Sequence, residues 1–109
     1  MKNLRFIENT LKDFPLGSQD GMWGEAICSV VFGLGSDIHW YIIEGQREGD
    51  DIIMFGIVIG FCEDEFVYVS LNGLSENPWM YQLTDFRPTP LKEIDDDRLQ
   101  KFLNRFKHE

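Results

Sequence analysis

Basic residues and long apolar runs are both scarce in this chain. Ten Lys and Arg stand against 19 Asp and Glu, a net charge of −9 that argues against binding to nucleic-acid phosphates or to an anionic membrane surface. The longest apolar stretch, residues 52–61, contains two glycines and is far shorter than the ~20 residues that span a bilayer. The N-terminus is mixed in charge and lacks the apolar run of a signal peptide. The charge therefore favours a solubilising surface, basic protein partners or cations.

Cysteine is also rare, and the two that occur, Cys28 and Cys62, do not form a CxxC pair. Both lie in apolar segments, which favours buried free thiols in a reducing compartment over a disulfide. Cys62 would be reactive only if it were exposed. We expect a cytoplasmic protein.

The apolar content is sufficient for a folded core. Apolar residues make up 43% of the chain and aromatic residues 14%, which is enough to offset the conformational entropy lost on folding. A chain of 109 residues is too short for two good cores. We expect a single domain over residues 1–109.

The apolar pattern predicts an α+β fold. Helices are expected over 4–13 and 96–107, and strands over 26–32, 38–44, 52–61 and 66–71. Short polar breaks separate the strands, so they should form a four-stranded antiparallel β-meander. The N- and C-terminal helices are predicted to pack on the sheet and to cover one of its faces. The predicted core includes Phe55, Ile57, Tyr68, Leu99 and Phe102.

The middle of the chain carries an ordered set of features. An aromatic-rich strand ends in an acid, a Gly/Asp-rich turn follows, and then come a Phe-Gly strand and a strand that leads into a short helix. These features fall at Trp40, Tyr41, Glu44, Gly49, Asp50, Phe55, Gly56, Tyr68, Ser70 and Leu71. Their order, with residues 15–20 upstream and 85–88 downstream, resembles the bacterial family called domain of unknown function 2958. The resemblance covers roughly residues 14–91.

That family has no established general activity. Its members resemble accessory proteins of plasmids, conjugative elements and phages, and some relatives are linked with inhibition of CRISPR nucleases. The resemblance implies an accessory protein of a mobile element that modulates host defence.

Catalytic motifs are missing. His39 with Glu44, Asp50 and Asp51 is the best candidate for a metal or acid–base site, because oxygen-rich clusters attract hard cations. The spacing matches no known metal motif, however, and strand alternation places His39 and Glu44 on opposite faces. Ser70 lacks the G-x-S-x-G context of a nucleophile. We therefore predict no enzyme, no cofactor and no metal, and interpret the acids as a solvated turn.

Two sets of residues are candidates for binding a partner. Trp23 and Trp79 lie in predicted loops, where a large aromatic side chain either fills the core or faces a partner. Glu48, Asp50 and Asp51 form an acidic turn that would attract a basic protein. The sequence thus predicts a non-enzymatic accessory protein that binds another protein, without direct contact to nucleic acid or membrane. The alternative is a small metal-dependent hydrolase whose site is assembled from dispersed residues. The oligomeric state stays open.

Overall fold

A computed structural model describes residues 3–106 of the chain, without the side chain of Phe106. This range contains the helices α1 (Leu4–Leu11), α2 (Leu71–Ser75) and α3 (Asp97–Phe106). Its strands are β1 (Ile27–Cys28), β2 (Val30–Leu34), β3 (Ile38–Glu48), β4 (Asp51–Ile59), β5 (Glu65–Ser70), β6 (Tyr81–Gln82) and β7 (Thr89–Pro90). Two 3₁₀ turns cover Trp23–Glu25 and Leu91–Glu93. No helix in the described range is both long and apolar enough to cross a membrane. Residue 107, the last of the predicted C-terminal helix, lies outside that range.

The main sheet is antiparallel and has the strand order β5-β4-β3-β2-β6. Strands β2 to β5 follow one another as the predicted meander. The sheet has five strands rather than four, because β6 pairs with β2 through Gly33–Tyr81 and Phe32–Gln82. The predicted strand 26–32 is wrong as one element. It breaks at Ser29, and β1 pairs with β7 in a separate two-stranded sheet.

The two faces of the main sheet are covered by different helices. Ile7 and Leu11 of α1 pack in one core cluster with Met54 of β4, whereas Leu99 of α3 packs in a second cluster with Ile57. The expectation that both terminal helices cover one face is therefore wrong. The physical reason lies in β4, whose alternate side chains are apolar on both faces, so that each face needs its own cover.

Most of the predicted core is confirmed. Ile57, Leu99 and Phe102 are buried, and Phe55 is partly buried. Tyr68 is a wrong prediction, since 66% of its surface is exposed. It lies on β5 at the edge of the sheet, two residues beyond Phe66, which Phe102 of α3 contacts with a ring separation of 5.2 Å.

A β-bulge in β3 decides which residues share a face. Ile42 pairs with Gly56 and Glu44 pairs with Phe55, so Ile43 is an extra residue opposite β4. One inserted residue reverses the alternation of the strand. Glu44 therefore lies on the same face as His39, and the predicted opposite placement is wrong.

Candidate binding site

The loop that follows α1 is tied to the sheet by a buried carboxylate. Glu44 is 2% exposed, and its Oε1 accepts a hydrogen bond from the Gly17 backbone N–H at 2.7 Å. Its Oε2 accepts one from the Gln19 backbone N–H at 2.8 Å. Hydrogen bonds to an ionised acceptor are about twice as strong as neutral ones. Both carboxylate oxygens thus bind the loop. These two hydrogen bonds explain why an acid occupies a buried position in the strand.

Gln19 completes this attachment with its side chain. Its Nε2 donates to the carbonyl oxygens of Ile27 at 2.9 Å and Ile43 at 2.7 Å, and its Oε1 accepts the Ile27 N–H at 2.6 Å. We call Glu44 and Gln19 together the loop clamp. The clamp joins the loop to β1 and to the bulge of β3, so the residues that follow Gln19 leave from a fixed position.

An open cleft of about 240 Å³ lies beside the loop clamp, on the face of the sheet that α3 covers. Aromatic rings form one wall, aliphatic side chains form the floor, and polar groups lie on the side of the loop. The rings are Trp23, Phe55 and Phe66, the aliphatic side chains are Ala26, Ile43 and Leu91, and the polar residues are Gln19 and Asp20. We call this the aromatic cleft.

The rings continue from the cleft to the edge of the sheet. Trp23 meets Phe66 edge to face at 6.0 Å between ring centres, and Phe66 lies parallel to Phe55 at 5.7 Å. Phe55 in turn contacts Tyr68 at 4.7 Å. These four side chains form the aromatic surface, and the side chains at its two ends are the more exposed ones, Trp23 at 47% and Tyr68 at 66%. Contiguous exposed apolar surface is typical of interaction sites.

The backbone of Trp23 has an unusual conformation. Its φ is +49°, and it is the only described residue other than glycine with a positive φ. A bulky residue in this left-handed region is strained, and such residues concentrate at ligand-binding sites. The strain motivates the hypothesis that the indole is held at the cleft for binding.

The predicted binding residues do not gather into one site. Glu48 and Asp50 are exposed in the β3–β4 turn. Asp51 has a structural role, since its Oδ1 accepts hydrogen bonds from Ile52 N–H at 2.7 Å and Asn72 N–H at 2.9 Å. Asp51 thereby connects the start of β4 with α2 and does not act only as a surface charge.

The two predicted tryptophans do not line the same cleft. Trp23 contacts Phe66 on the face of α3 and lines the aromatic cleft, whereas Trp79 is not among the lining residues of that cleft. Trp79 is 79% exposed, so it does not fill the core. Of this pair, Trp23 borders a cleft together with other aromatic rings.

The proposed acid–base set is also dispersed. His39 lies near the start of β3, and Asp50 follows its far end, about 30 Å away at 3.3 Å per strand residue. No group of three His, Cys, Asp or Glu side chains within residues 3–106 is arranged to hold a metal ion. His39 instead borders a second, polar cleft with Asp37, Asp95 and Arg98 among its lining residues.

Asp96, which also lines the polar cleft, is occupied by structural hydrogen bonds. Its Oδ2 accepts the Tyr41 hydroxyl at 2.5 Å, and its Oδ1 accepts the N–H groups of Arg98 at 3.0 Å and Leu99 at 3.2 Å. It therefore caps the N-terminus of α3 and connects that helix to β3.

The two cysteines have different environments. Cys28 is buried as expected, and burial raises the pKa of its thiol, so it is a poor nucleophile. Cys62 is exposed in the β4–β5 connection, and the prediction of its burial is wrong. The apolar run that contains it ends as a strand at Ile59.

We expect the protein to lose stability at alkaline pH. Burial raises the pKa of Cys28 above 9.0, and burial followed by the Asp96 hydrogen bond raises the pKa of Tyr41 above 10.0. In the unfolded chain both groups lose their protons at a lower pH than in the folded protein. Their contribution to the free energy of unfolding is therefore complete below about pH 9. It falls as pH rises, by up to about 1.4 kcal/mol per pH unit and group.

Urea denaturation between pH 7 and 11 measures this loss. The double variant Cys28→Ala/Tyr41→Phe should show a flatter dependence of unfolding free energy on pH than the wild type. An equal slope in both proteins would assign the loss to other groups.

Comparison with known proteins gave a similarity to a short part of a large enzyme. The chain is 29% identical over 85 residues to collagenase ColQ1 of Bacillus cereus (strain Q1), which covers 73% of this chain and 9% of that protein. No family model matches the chain, and no solved structure matches it. The family resemblance drawn from the sequence stays a prediction.

Several residues of the site were not identified as such from the sequence. Phe55 was expected in the core, Phe66 only as part of a strand, and Gln19 and Asp20 only as part of the segment 15–20 that contributes to the family resemblance. One usable signal was Glu44, an acid inside an apolar strand, which needs a buried partner. Its partners are backbone N–H groups 25 and 27 residues away, which no local pattern reveals.

Proposed function

We propose that this chain is a non-enzymatic protein-binding module that contacts its partner through the aromatic surface. The observation that carries the proposal is the row of four touching rings, Trp23, Phe66, Phe55 and Tyr68, with exposed side chains at both ends. Trp and Tyr are frequent hot-spot residues, because they bury large area with few rotatable bonds.

The edge of the sheet adds a second contact element. β5 is the last strand of the sheet order and pairs with β4 alone in that sheet. An extended segment of a partner could pair with its outer side, as in β-augmentation. Tyr68 lies on this strand, so a partner strand would also contact the aromatic surface.

The net charge of −9 supports a basic partner. Glu48 and Asp50 are exposed and would act mainly on the rate of association, with an effect that salt screens over about 8 Å.

The role of such a module is that of an accessory protein. The similarity to 9% of a collagenase supports a unit that works as part of, or beside, larger proteins. The mobile-element and host-defence role implied by the sequence resemblance is part of the same proposal.

Affinity capture from a lysate of the source cells tests the proposal. We expect the wild type to retain a specific partner that the double variant Trp23→Gly/Tyr68→Ala loses, at least tenfold by quantitative mass spectrometry. Trp79→Ala is the matched control, since it removes a more exposed tryptophan away from the aromatic surface.

A charge variant tests the acidic contribution. Glu48→Lys/Asp50→Lys should slow association and weaken its salt dependence, while Asp51 is left intact because it has a structural role.

Capture that survives the Trp23→Gly/Tyr68→Ala variant contradicts the proposed surface. Substrate turnover by the purified protein with added metal would favour the hydrolase alternative.

A further inference from the structure

We infer that the aromatic cleft receives a lysine side chain of the partner protein. The inference rests on the proposed function and specifies the chemistry of its central contact. Three features of the cleft carry it, namely its size, its aromatic wall and its negative charge.

The size of the cleft limits its occupant. Its volume of about 240 Å³ is smaller than that of pockets for drug-sized ligands, which begin near 300 Å³. It is open to solvent on the side of Trp23, which is 47% exposed. These dimensions suit a single extended side chain that enters from a partner surface.

The wall of the cleft favours a cation. Trp23, Phe55 and Phe66 all line it, and aromatic ring faces attract ammonium and guanidinium groups. A ring next to the cleft already contacts a cation, since the Arg105 guanidinium lies 5.8 Å from the ring centre of Phe102, which contacts Phe66.

The charge at the cleft also favours a cation. Asp20 lines the cleft, and no ion pair of its carboxylate occurs among the described residues. Lys92 follows Leu91 of the cleft floor, but its ammonium is paired with Glu25. Because Lys92 is paired with Glu25, it does not neutralise Asp20, whose charge can attract an incoming cation.

Lysine suits the cleft better than arginine. A guanidinium is a wide planar fork, whereas a lysine presents a compact charge at the end of a narrow apolar stem, which fits a cleft of about 240 Å³. The stem can lie along the aliphatic floor while its ammonium faces the rings and Asp20. The loop clamp fixes the start of the loop, so the cleft is preorganised for this occupant.

Titration with blocked tripeptides tests the inference. The indole N–H signals of Trp23, Trp40 and Trp79 are followed by NMR while Ac-Gly-Lys-Gly-NH2 or Ac-Gly-norleucine-Gly-NH2 is added to the full chain. Norleucine has a similar stem without the charge. We expect a saturable shift at Trp23 alone, with a Kd for the lysine peptide about fivefold or more below that for the norleucine peptide.

Two variants complete the test. Asp20→Asn should weaken binding of the lysine peptide about threefold or more without changing the norleucine peptide. Trp23→Gly should abolish binding, which the backbone amide signals of Asp20 and Ile43 report because the indole itself is removed. This change suits the backbone, since glycine adopts the observed φ of +49° without strain. Equal affinities for the two peptides, or no shift at Trp23, would overturn the inference. Neither result affects the capture experiment, which detects a partner through any part of the aromatic surface.

Discussion

Gly56→Ala is expected to lower the free energy of unfolding by about 4 kcal/mol or more, because the bulge leaves no room for a side chain. A Cβ at this position would lie 2.0 Å from the Tyr41 carbonyl oxygen and 2.8 Å from Ile42 Cα. Both neighbours are backbone atoms of the adjacent strand, so rotation of a side chain cannot relieve the overlap. The bulge itself would have to change, and with it the register that places Glu44.

Urea denaturation measures this loss, and Gly49→Ala is the matched control. Gly49 has φ of +63°, but a Cβ on this residue would have no atom within 4 Å, so only backbone strain of about 1 kcal/mol is expected. Small domains have about 5–15 kcal/mol in total, so a Gly56→Ala protein that is recovered unfolded also agrees with the expectation. A loss below about 1 kcal/mol would contradict the close approach of β3 and β4 at the bulge.

The meander could be predicted because its signals are local. Alternating apolar residues marked β3, β4 and β5, and short polar connections allowed only antiparallel neighbours. Helix spacing likewise located α1 and α3 to within two residues of their observed starts. These features depend on residues close in sequence, where periodicity gives sufficient information.

The errors concern pairing between distant segments. The extra residue Ile43 has no signature in its own strand and is visible only against β4. The break at Ser29 depends on β7, which is formed by Thr89 and Pro90 far along the chain. Both terminal helices were expected on one face, although the apolar residues on both faces of β4 require a cover for each face.

Of the residues that line the aromatic cleft, only Trp23 was predicted from the sequence as a binding residue. Trp23 was singled out because a large aromatic occurred in a loop, and the structure places it in the aromatic cleft. Its neighbours Phe55 and Phe66 have the sequence pattern of core residues, and they are only partly buried because β5 is an edge strand. Asp51, which was predicted as a binding residue, also accepts two backbone hydrogen bonds, and its position in a polar turn gave no indication of them.

Glu44→Gln is expected to destabilise the protein by about 3 kcal/mol, although it preserves the size of the side chain. The carboxylate accepts the N–H groups of Gly17 and Gln19 on separate oxygens. A glutamine amide can accept only one of them and turns its own N–H₂ toward the other. One charge-assisted hydrogen bond is lost, and one buried donor is left without an acceptor.

An opposing effect comes from desolvation of the carboxylate. Burial of a charge without a cationic partner is unfavourable by several kcal/mol, and removal of the charge relieves that cost. We nevertheless expect the net effect of Glu44→Gln on stability to be unfavourable. The Gly17 and Gln19 N–H groups face this side chain in the wild type and in the variant alike. Replacement of one partner leaves the other unsatisfied, which is more damaging than replacement of both.

Two measurements separate a local effect from a global one. Urea denaturation gives the loss of stability, and Glu48→Gln, an exposed position on the same strand, should change it by less than about 0.5 kcal/mol. Hydrogen exchange at the Gly17 and Gln19 amides should accelerate in Glu44→Gln before the sheet amides do. The variant should also lose the lysine-dependent shift at Trp23, since Gln19 and Asp20 line the aromatic cleft. Unchanged exchange at both amides, or a more stable Glu44→Gln protein, would show that desolvation outweighs the hydrogen bonds and that Glu44 does not hold the loop.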